Sequence, residues 1–275
     1  MRKNIVFLFV ILFLLGCASK ESRTFIRDEQ NKEMIYEEIV RQGKETYHLE
    51  IEPNVNKMKF GWDTGLPLLN DSRIVVPVQT VGEPEFSFDA VVFISGDPLE
   101  ITNINIDNAP QAGLGLGDLG EYLVRHIYTE KYQEAFDQLK TFDQHVSIET
   151  IFINALTSYY FEEEEEKIAL YQAISADYNQ GKFNDPAYYD QLLEAYVPQQ
   201  DSFTEERYYP RISLHVKQPN RSEFDIEERI ALIIKYIQAS DILPSATYSI
   251  VGTDNKDERI YESYTKEYEK KQESF

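Results

Sequence analysis

The chain has a single cysteine, at position 17, directly after an apolar run. One thiol closes no disulfide within the chain, so the fold must be held by a hydrophobic core and hydrogen bonds. A cysteine cluster for a metal is likewise ruled out. The opening MRKNIVFLFVILFLLGC carries two basic residues, Arg2 and Lys3, and then an uncharged stretch from Ile5 to Leu15. As a helix, eleven such residues reach about 17 Å, well short of a hydrocarbon core of ~30 Å. The stretch therefore reads as a secretory leader and not as a lasting membrane span.

The tetrad Leu14-Leu15-Gly16-Cys17 resembles a bacterial lipobox. Leu14, Gly16 and Cys17 fit the motif well, and Leu15 is a less usual occupant of its place. The resemblance implies diacylglyceryl transfer to the Cys17 thiol, with acyl chains such as palmitate, and cleavage before Cys17. Two chains, at ~0.8 kcal/mol per buried CH₂, make a durable anchor. The expected partner at this end is the membrane itself, through the lipid on Cys17. Residues 1–16 are expected to be a signal peptide and residues 17–30 a tether. The body is expected at the cell membrane, on its outer, extracytoplasmic face.

Removing Arg2 and Lys3 from 27 basic residues leaves 25 against 48 acidic ones, a net charge of −23 for the lipidated chain. Such a surface repels nucleic acid and anionic lipid headgroups, so no nucleic-acid partner is expected. An apolar fraction of 42% supplies a core, and nineteen tyrosines argue against a disordered chain. Residues 31–255 are expected to form a single α+β domain with room for two lobes, followed by a charged tail over 256–275.

Periodicity divides the body into three stretches. Ile35, Tyr36, Ile39 and Val40 predict a helix to about Arg41, ended by Gly43. Tyr47 to Ile51 predicts a short strand, and Lys57 to Asn70 a loop. Arg73–Val81, Phe86–Ser95 and Leu99–Ile106 read as strands joined by tight turns, an antiparallel meander. Pro77 places the first of these at an edge or a bulge.

The middle reads as a helical block. Asp118 and Glu121 signal a cap ahead of Tyr122, Leu123, His126 and Ile127, and Thr129 starts a second helix. Ile148, Ile151, Phe152, Ala155, Leu156 and Tyr159 predict a long helix after Ser147. Ile168 to Tyr178 predicts another, and Asp185-Pro186 caps one more. Near the end, Arg211–Lys217 and Thr247–Gly252 read as strands around a helix capped by Ser222-x-x-Asp225, a βαβ unit. The tail from Lys256 reads as a loose helix or disorder. The fold class is α+β: an antiparallel meander plus a C-terminal βαβ unit, sheet backed by helices, with a central helical block.

Chemistry-bearing motifs are sparse. Gly115-Leu116-Gly117-Asp118-Leu119-Gly120 matches G-x-G-x-x-G, but no strand leads directly into it and Asp118 puts negative charge where a phosphate would lie. A ligand-facing loop over Gly113, Gly115, Gly117 and Gly120 is the reading kept. Glu162 to Glu166 point around a helix and read as a solvated first turn. Asp254-Asn255-Lys256-Asp257-Glu258 lacks the glycine and distal glutamate of a calcium loop. His48, His126, His145 and His215 show no zinc spacing, and no G-x-S-x-G is present. Carboxylates are too many to single out one pair. The pairs Tyr159-Tyr160, Tyr188-Tyr189 and Tyr208-Tyr209 read as one core and one rim residue each.

Val81-Gly82-Glu83-Pro84, Phe86 to Ile94, Tyr122 to Leu139, Ile212 to Val216 and Leu243-Pro244-x-x-Thr247-Tyr248 together resemble a family of uncharacterised lipoproteins from low-GC Gram-positive bacteria, a domain of unknown function. The resemblance covers about Arg73 to Asn255. It implies an outer-surface lipoprotein and carries no active residues.

The leading expectation is thus a non-enzymatic surface binding module that meets a wall polymer, a peptide or a protein, with no catalytic residue, metal or cofactor. A solute-binding receptor for a transporter ranks second, and a carboxylate-based envelope hydrolase third.

Overall fold

A computed structural model describes residues 20–60, 73–107, 115–158, 161, 163–200, 206–218, 225–253 and 259–266. In chain order its helices are α1 (Lys20–Phe25), α2 (Glu29–Arg41), α3 (Leu119–Lys131), α4 (Gln133–Phe142), α5 (Glu164–Asn179), α6 (Tyr189–Tyr196) and α7 (Ile226–Ala239). Its strands are β1 (Ile51–Pro53), β2 (Lys59–Phe60), β3 (Arg73–Thr80), β4 (Ser87–Ser95), β5 (Glu100–Asn105), β6 (Val146–Phe152), β7 (Arg211–Lys217), β8 (Ala246–Thr253) and β9 (Arg259–Lys266). The chain is α+β and divides into two compact units, residues 1–120 with 160–182, and residues 121–159 with 183–275. The lipobox residues Leu14, Leu15, Gly16 and Cys17 lie outside the described residues, as do Gly113, the Tyr159-Tyr160 pair, Ser222 and the 254–258 segment.

The first unit holds the meander, an antiparallel sheet in the order β1-β3-β4-β5, with β2 also on β3. One face is apolar: Ile74 pairs with Val92, Val76 with Ala90 and Val78 with Phe88, and all six are buried. At ~1.5–3 kcal/mol for each large apolar side chain removed from water, this face supplies much of the unit's cohesion. Helix α2 opens at Asp28, whose Oδ1 accepts from the Asn31 N–H (3.0 Å), and lays Ile35 and Ile39 against the unit's core. It runs to Arg41, but the chain then coils on through a π turn over Gln42–Thr46 instead of stopping at Gly43. Within the stretch expected to be a tether, α1 forms and buries Ser22 and Phe25.

Pro77 is not at a sheet edge. It lies in β3, which has partners on both sides. Its carbonyl accepts from the Asn54 N–H (2.7 Å), so the side on which proline lacks a donor faces the β1–β2 margin. There the partner strand breaks for a 3₁₀ turn over Val55–Lys57, and no ladder donor is missed. The short strand expected at Tyr47–Ile51 falls at Ile51–Pro53.

The second unit contains a sheet ordered β6-β7-β8-β9. β7 and β8 are parallel, joined through α7, and β6 and β9 flank them antiparallel. Asp225 caps α7 by accepting from the Glu227 and Glu228 N–H groups (2.9 and 3.2 Å). Ile226, Ile230, Ile233 and Ile237 then form one buried stripe. It packs on the sheet face of Ile212, Leu214, Tyr248 and Ile250. Lys266 of β9 closes the far end of α7, its Nζ donating to the carbonyls of Ile237 (2.6 Å) and Ser240.

Two expectations are overturned here. Residues 146–152 form strand β6, not the start of a long helix. A β-bulge between Ile148 and Thr150 adds one residue, so the apolar spacing from Ile148 to Ile151 is three and mimics a helix. In the tail, residues 259–266 form β9, paired along its whole length with β8.

Candidate functional site

The glycine loop packs against the protein's own backbone. From Gly115 the chain enters a 3₁₀ turn over Leu116–Asp118 and passes into α3. The Leu116 N–H donates to the Ile106 carbonyl (2.8 Å), the Gly117 N–H to the Asp107 carbonyl (2.8 Å) and the Asp118 N–H to the Gly115 carbonyl (3.1 Å). Leu116 and Leu119 are core residues, and Gly115 and Gly120 are buried. A Cβ on Gly117 would come within 2.9 Å of the Tyr171 hydroxyl, so glycine is what lets α5 approach. The backbone donors that a phosphate would need are spent on the protein's own carbonyls at these three positions.

Behind the loop lies a buried ionic cluster. Asp107, nearly inaccessible, pairs its Oδ2 with Lys167 of α5. Burial alone would lower the Lys167 amine, but the hydrogen bond and charge of Asp107 outweigh it and the net shift is upward. The Tyr171 hydroxyl is pushed up by burial and then by Asp107, and Tyr47 in the same order of causes. The two tyrosine rings meet edge to face at 5.7 Å. This cluster rivets loop, sheet end and α5 together within the first unit.

The histidines lie apart. His126 Nε2 meets Asn184 Oδ1 at 3.2 Å. His215 Nε2 meets Thr253 Oγ1 at 2.9 Å, and its Nδ1 lies 3.6 Å from Glu149 Oε1. His48 adopts a positive φ of 55° before β1. Of the Tyr188-Tyr189 pair, Tyr189 is buried and Tyr188 exposed, while Tyr208 and Tyr209 are both half-buried. The glutamates at 163–165 are exposed around the start of α5.

An open cleft of about 400 Å³ lies in the second unit, between the α3–α4 pair and strand β6. Helical geometry builds one wall: Tyr122, Arg125, His126, Thr129 and Glu130 recur at i, i+3, i+4, i+7 and i+8 and so share a face of α3. The opposite stripe of α3, with Leu123, Val124 and Ile127, is fully buried and fixes the helix. Phe136 of α4 and Ile148 and Ile151 of β6 supply apolar floor, and Glu149 and Thr150 stand at the bulge. Gln133 and Lys140 close the α4 side, both held by Asp137 (2.9 and 3.3 Å).

Charge in the cleft is mixed. The Arg125 guanidinium lies 5.9 Å over the Tyr122 ring. Among the described residues neither Arg125 nor Glu130 makes an ion pair, and both remain available to a ligand. Glu149 is engaged, accepting from Ser147 Oγ at 2.7 Å. Among the described residues the cleft therefore offers a cation and a carboxylate outside any ion pair, over an apolar floor. From sequence, Tyr122 and His126 group with Leu123 and Ile127, and a new helix starts at Thr129; α3 instead runs unbroken to Lys131 and the next helix starts at Gln133. The polar stripe of α3 was therefore not read from sequence, nor was its opposite wall, because β6 reads as a helix there.

Among the described residues no group of three or more histidine or acidic side chains is placed to hold a metal, and no helix is long and apolar enough to cross a membrane. No protein-family model, curated protein or solved structure matches the chain.

Proposed function

We propose that the protein is a lipid-anchored, extracytoplasmic binding module whose α3–β6 cleft takes a short peptide segment. The leader supports the anchoring half of this reading: two basic residues, a short apolar run and Leu14-Leu15-Gly16 before the sole cysteine. The cleft supports the binding half, and one observation carries it. Among the described residues Arg125 and Glu130 make no ion pair, and they line the same cleft about 7.5 Å apart along the helix axis, over an apolar floor. A peptide brings a carboxylate, an ammonium and an apolar side chain at that scale, and it satisfies all three features together.

Calorimetric titration with short peptides tests the reading. Free-ended peptides should bind, and end-blocked ones should bind at least about tenfold more weakly, the loss of one charged contact. Arg125→Ala should produce a similar loss. No binding, or equal binding by Arg125→Ala, would refute the cleft as a peptide site.

A second reading has one observation in its favour. Glu130 and Glu149 line the same cleft, one from the helix and one from the strand, and so could face a substrate between them. Turnover of a glycoside or ester substrate that disappears in both Glu130→Gln and Glu149→Gln would establish it in place of the first.

A further inference from the structure

We infer that the outward face of the second unit's sheet docks an acidic polysaccharide strand. This goes beyond the peptide cleft: the two surfaces meet only at Glu149 and Thr150 of the β6 bulge, and the other residues of this face lie outside the cleft lining. Strand pairing sorts the sheet's side chains into two sets. One set packs under α7; the other points away from it. The register aligns Thr150, Ser213, Ser249 and Ser263 in one row of hydroxyls across all four strands on that outward face. Phe152 and Arg211 lie in the row on one side, and Tyr261 lies in the row on the other.

The charge on this face runs against the rest of the chain. The protein carries 48 acidic and 27 basic residues. Yet exposed Arg211, Lys217 and Arg259 stand at the margins of this face, and among the described residues none of them makes an ion pair. Among the described residues of this face the carboxylate beside them is Glu149, already held by Ser147 and near His215. Three cations outside any ion pair among the described residues, on an acidic protein, favour an anionic partner.

Dimensions and chemistry narrow the partner. Arg211 and Lys217 are six residues apart on β7, roughly 20 Å, and the four strands span roughly 14 Å. A single small anion reaches only one of the cations, whereas an extended strand reaches all three. The hydroxyl row both donates and accepts, which suits a polyhydroxylated chain. Phe152 and Tyr261, 49% and 65% exposed at opposite margins, offer flat rings for sugar faces. A nucleic acid would meet the same three cations, and the hydroxyl row is what favours a polyhydroxylated chain over it.

The test is affinity electrophoresis of the full lipidated protein in detergent micelles. The gels contain polygalacturonate, neutral dextran, poly-L-glutamate or single-stranded oligodeoxythymidylate. Polygalacturonate should retard the protein with an affinity at least about tenfold above the other three, and the retardation should fade with added salt. Arg211→Glu with Lys217→Glu and Arg259→Glu should abolish it, and Tyr261→Ala should weaken it several-fold; all four side chains are exposed, and circular dichroism checks the fold. Equal retardation by dextran, polyglutamate or the oligonucleotide would overturn the proposal. So would no retardation at low salt, or a sedimentation dimer that the charge reversals dissolve, which would assign the face to a second copy.

Discussion

Tyr178 shows how much of the first unit rests on single side chains. Its hydroxyl reaches from α5 into the turn between β3 and β4, meeting Thr80 Oγ1 at 3.1 Å and donating to the Pro84 carbonyl at 3.0 Å. Thr80 Oγ1 in turn accepts from the Phe86 N–H at 2.9 Å. Tyr178→Phe should therefore cost about 1–2 kcal/mol in a urea titration, one buried bond lost and one carbonyl orphaned. Gly82 lies under the same ring with φ of 143°, where a Cβ would stand 3.0 Å from Tyr178, so Gly82→Ala should cost about 1–3 kcal/mol. The Asp107 cluster sets a pH dependence. Lys167, Tyr47 and Tyr171 all have raised pKa values and so hold their protons more tightly folded than unfolded. Their contribution is complete below the ordinary values of about 10 and is lost as pH rises through the folded ones. The urea midpoint should stay level to about pH 9 and fall above about pH 10, with a shallower fall in a Tyr47→Phe, Tyr171→Phe variant. An unchanged slope in that variant would remove the tyrosines from the explanation.

At the scale of elements, the α4–β6 corner depends on Asp143. Its side chain is buried, its Oδ1 accepts from the His145 N–H (2.9 Å), and its Oδ2 lies 3.1 Å from Arg229 Nε of α7. Asp143→Ala should cost about 1–3 kcal/mol, toward the lower figure because Arg229 is 39% exposed and water takes over part of its solvation. Asp225→Ala at the α7 cap should cost about 1 kcal/mol in the same titration. The elements whose periodicity is uninterrupted were legible from sequence: α2 by Ile35 and Ile39, the meander by its β-branched runs, α7 by its isoleucine stripe. The elements that were not legible have physical causes. The bulge in β6 turned a spacing of two into three. β9 is an edge strand whose exposed face carries charge and hydroxyls, so no apolar alternation marks it. Pro77 misled because a donor's absence matters only on the side where a partner strand runs.

For the whole molecule, the division of labour we propose is a lipid anchor on Cys17 and binding surfaces in the second unit. Cys17→Ala should leave the protein unlabelled by a palmitate analogue and release it from the membrane fraction, with the body's circular dichroism unchanged. Retention of label in that variant would refute lipidation at Cys17. The site was less legible than the fold. The glycine loop drew attention by its spacing, but its N–H groups close on Ile106, Asp107 and Gly115. Arg125 and Glu130 sit in an ordinary-looking helix, and only β6 opposite them makes a cleft. The most direct measurement is a co-crystal of the mature protein with a free-ended peptide that binds it. The expected result is peptide density in the α3–β6 cleft, its carboxylate on Arg125 and its ammonium toward Glu130. Density elsewhere with the cleft empty would contradict the proposed function.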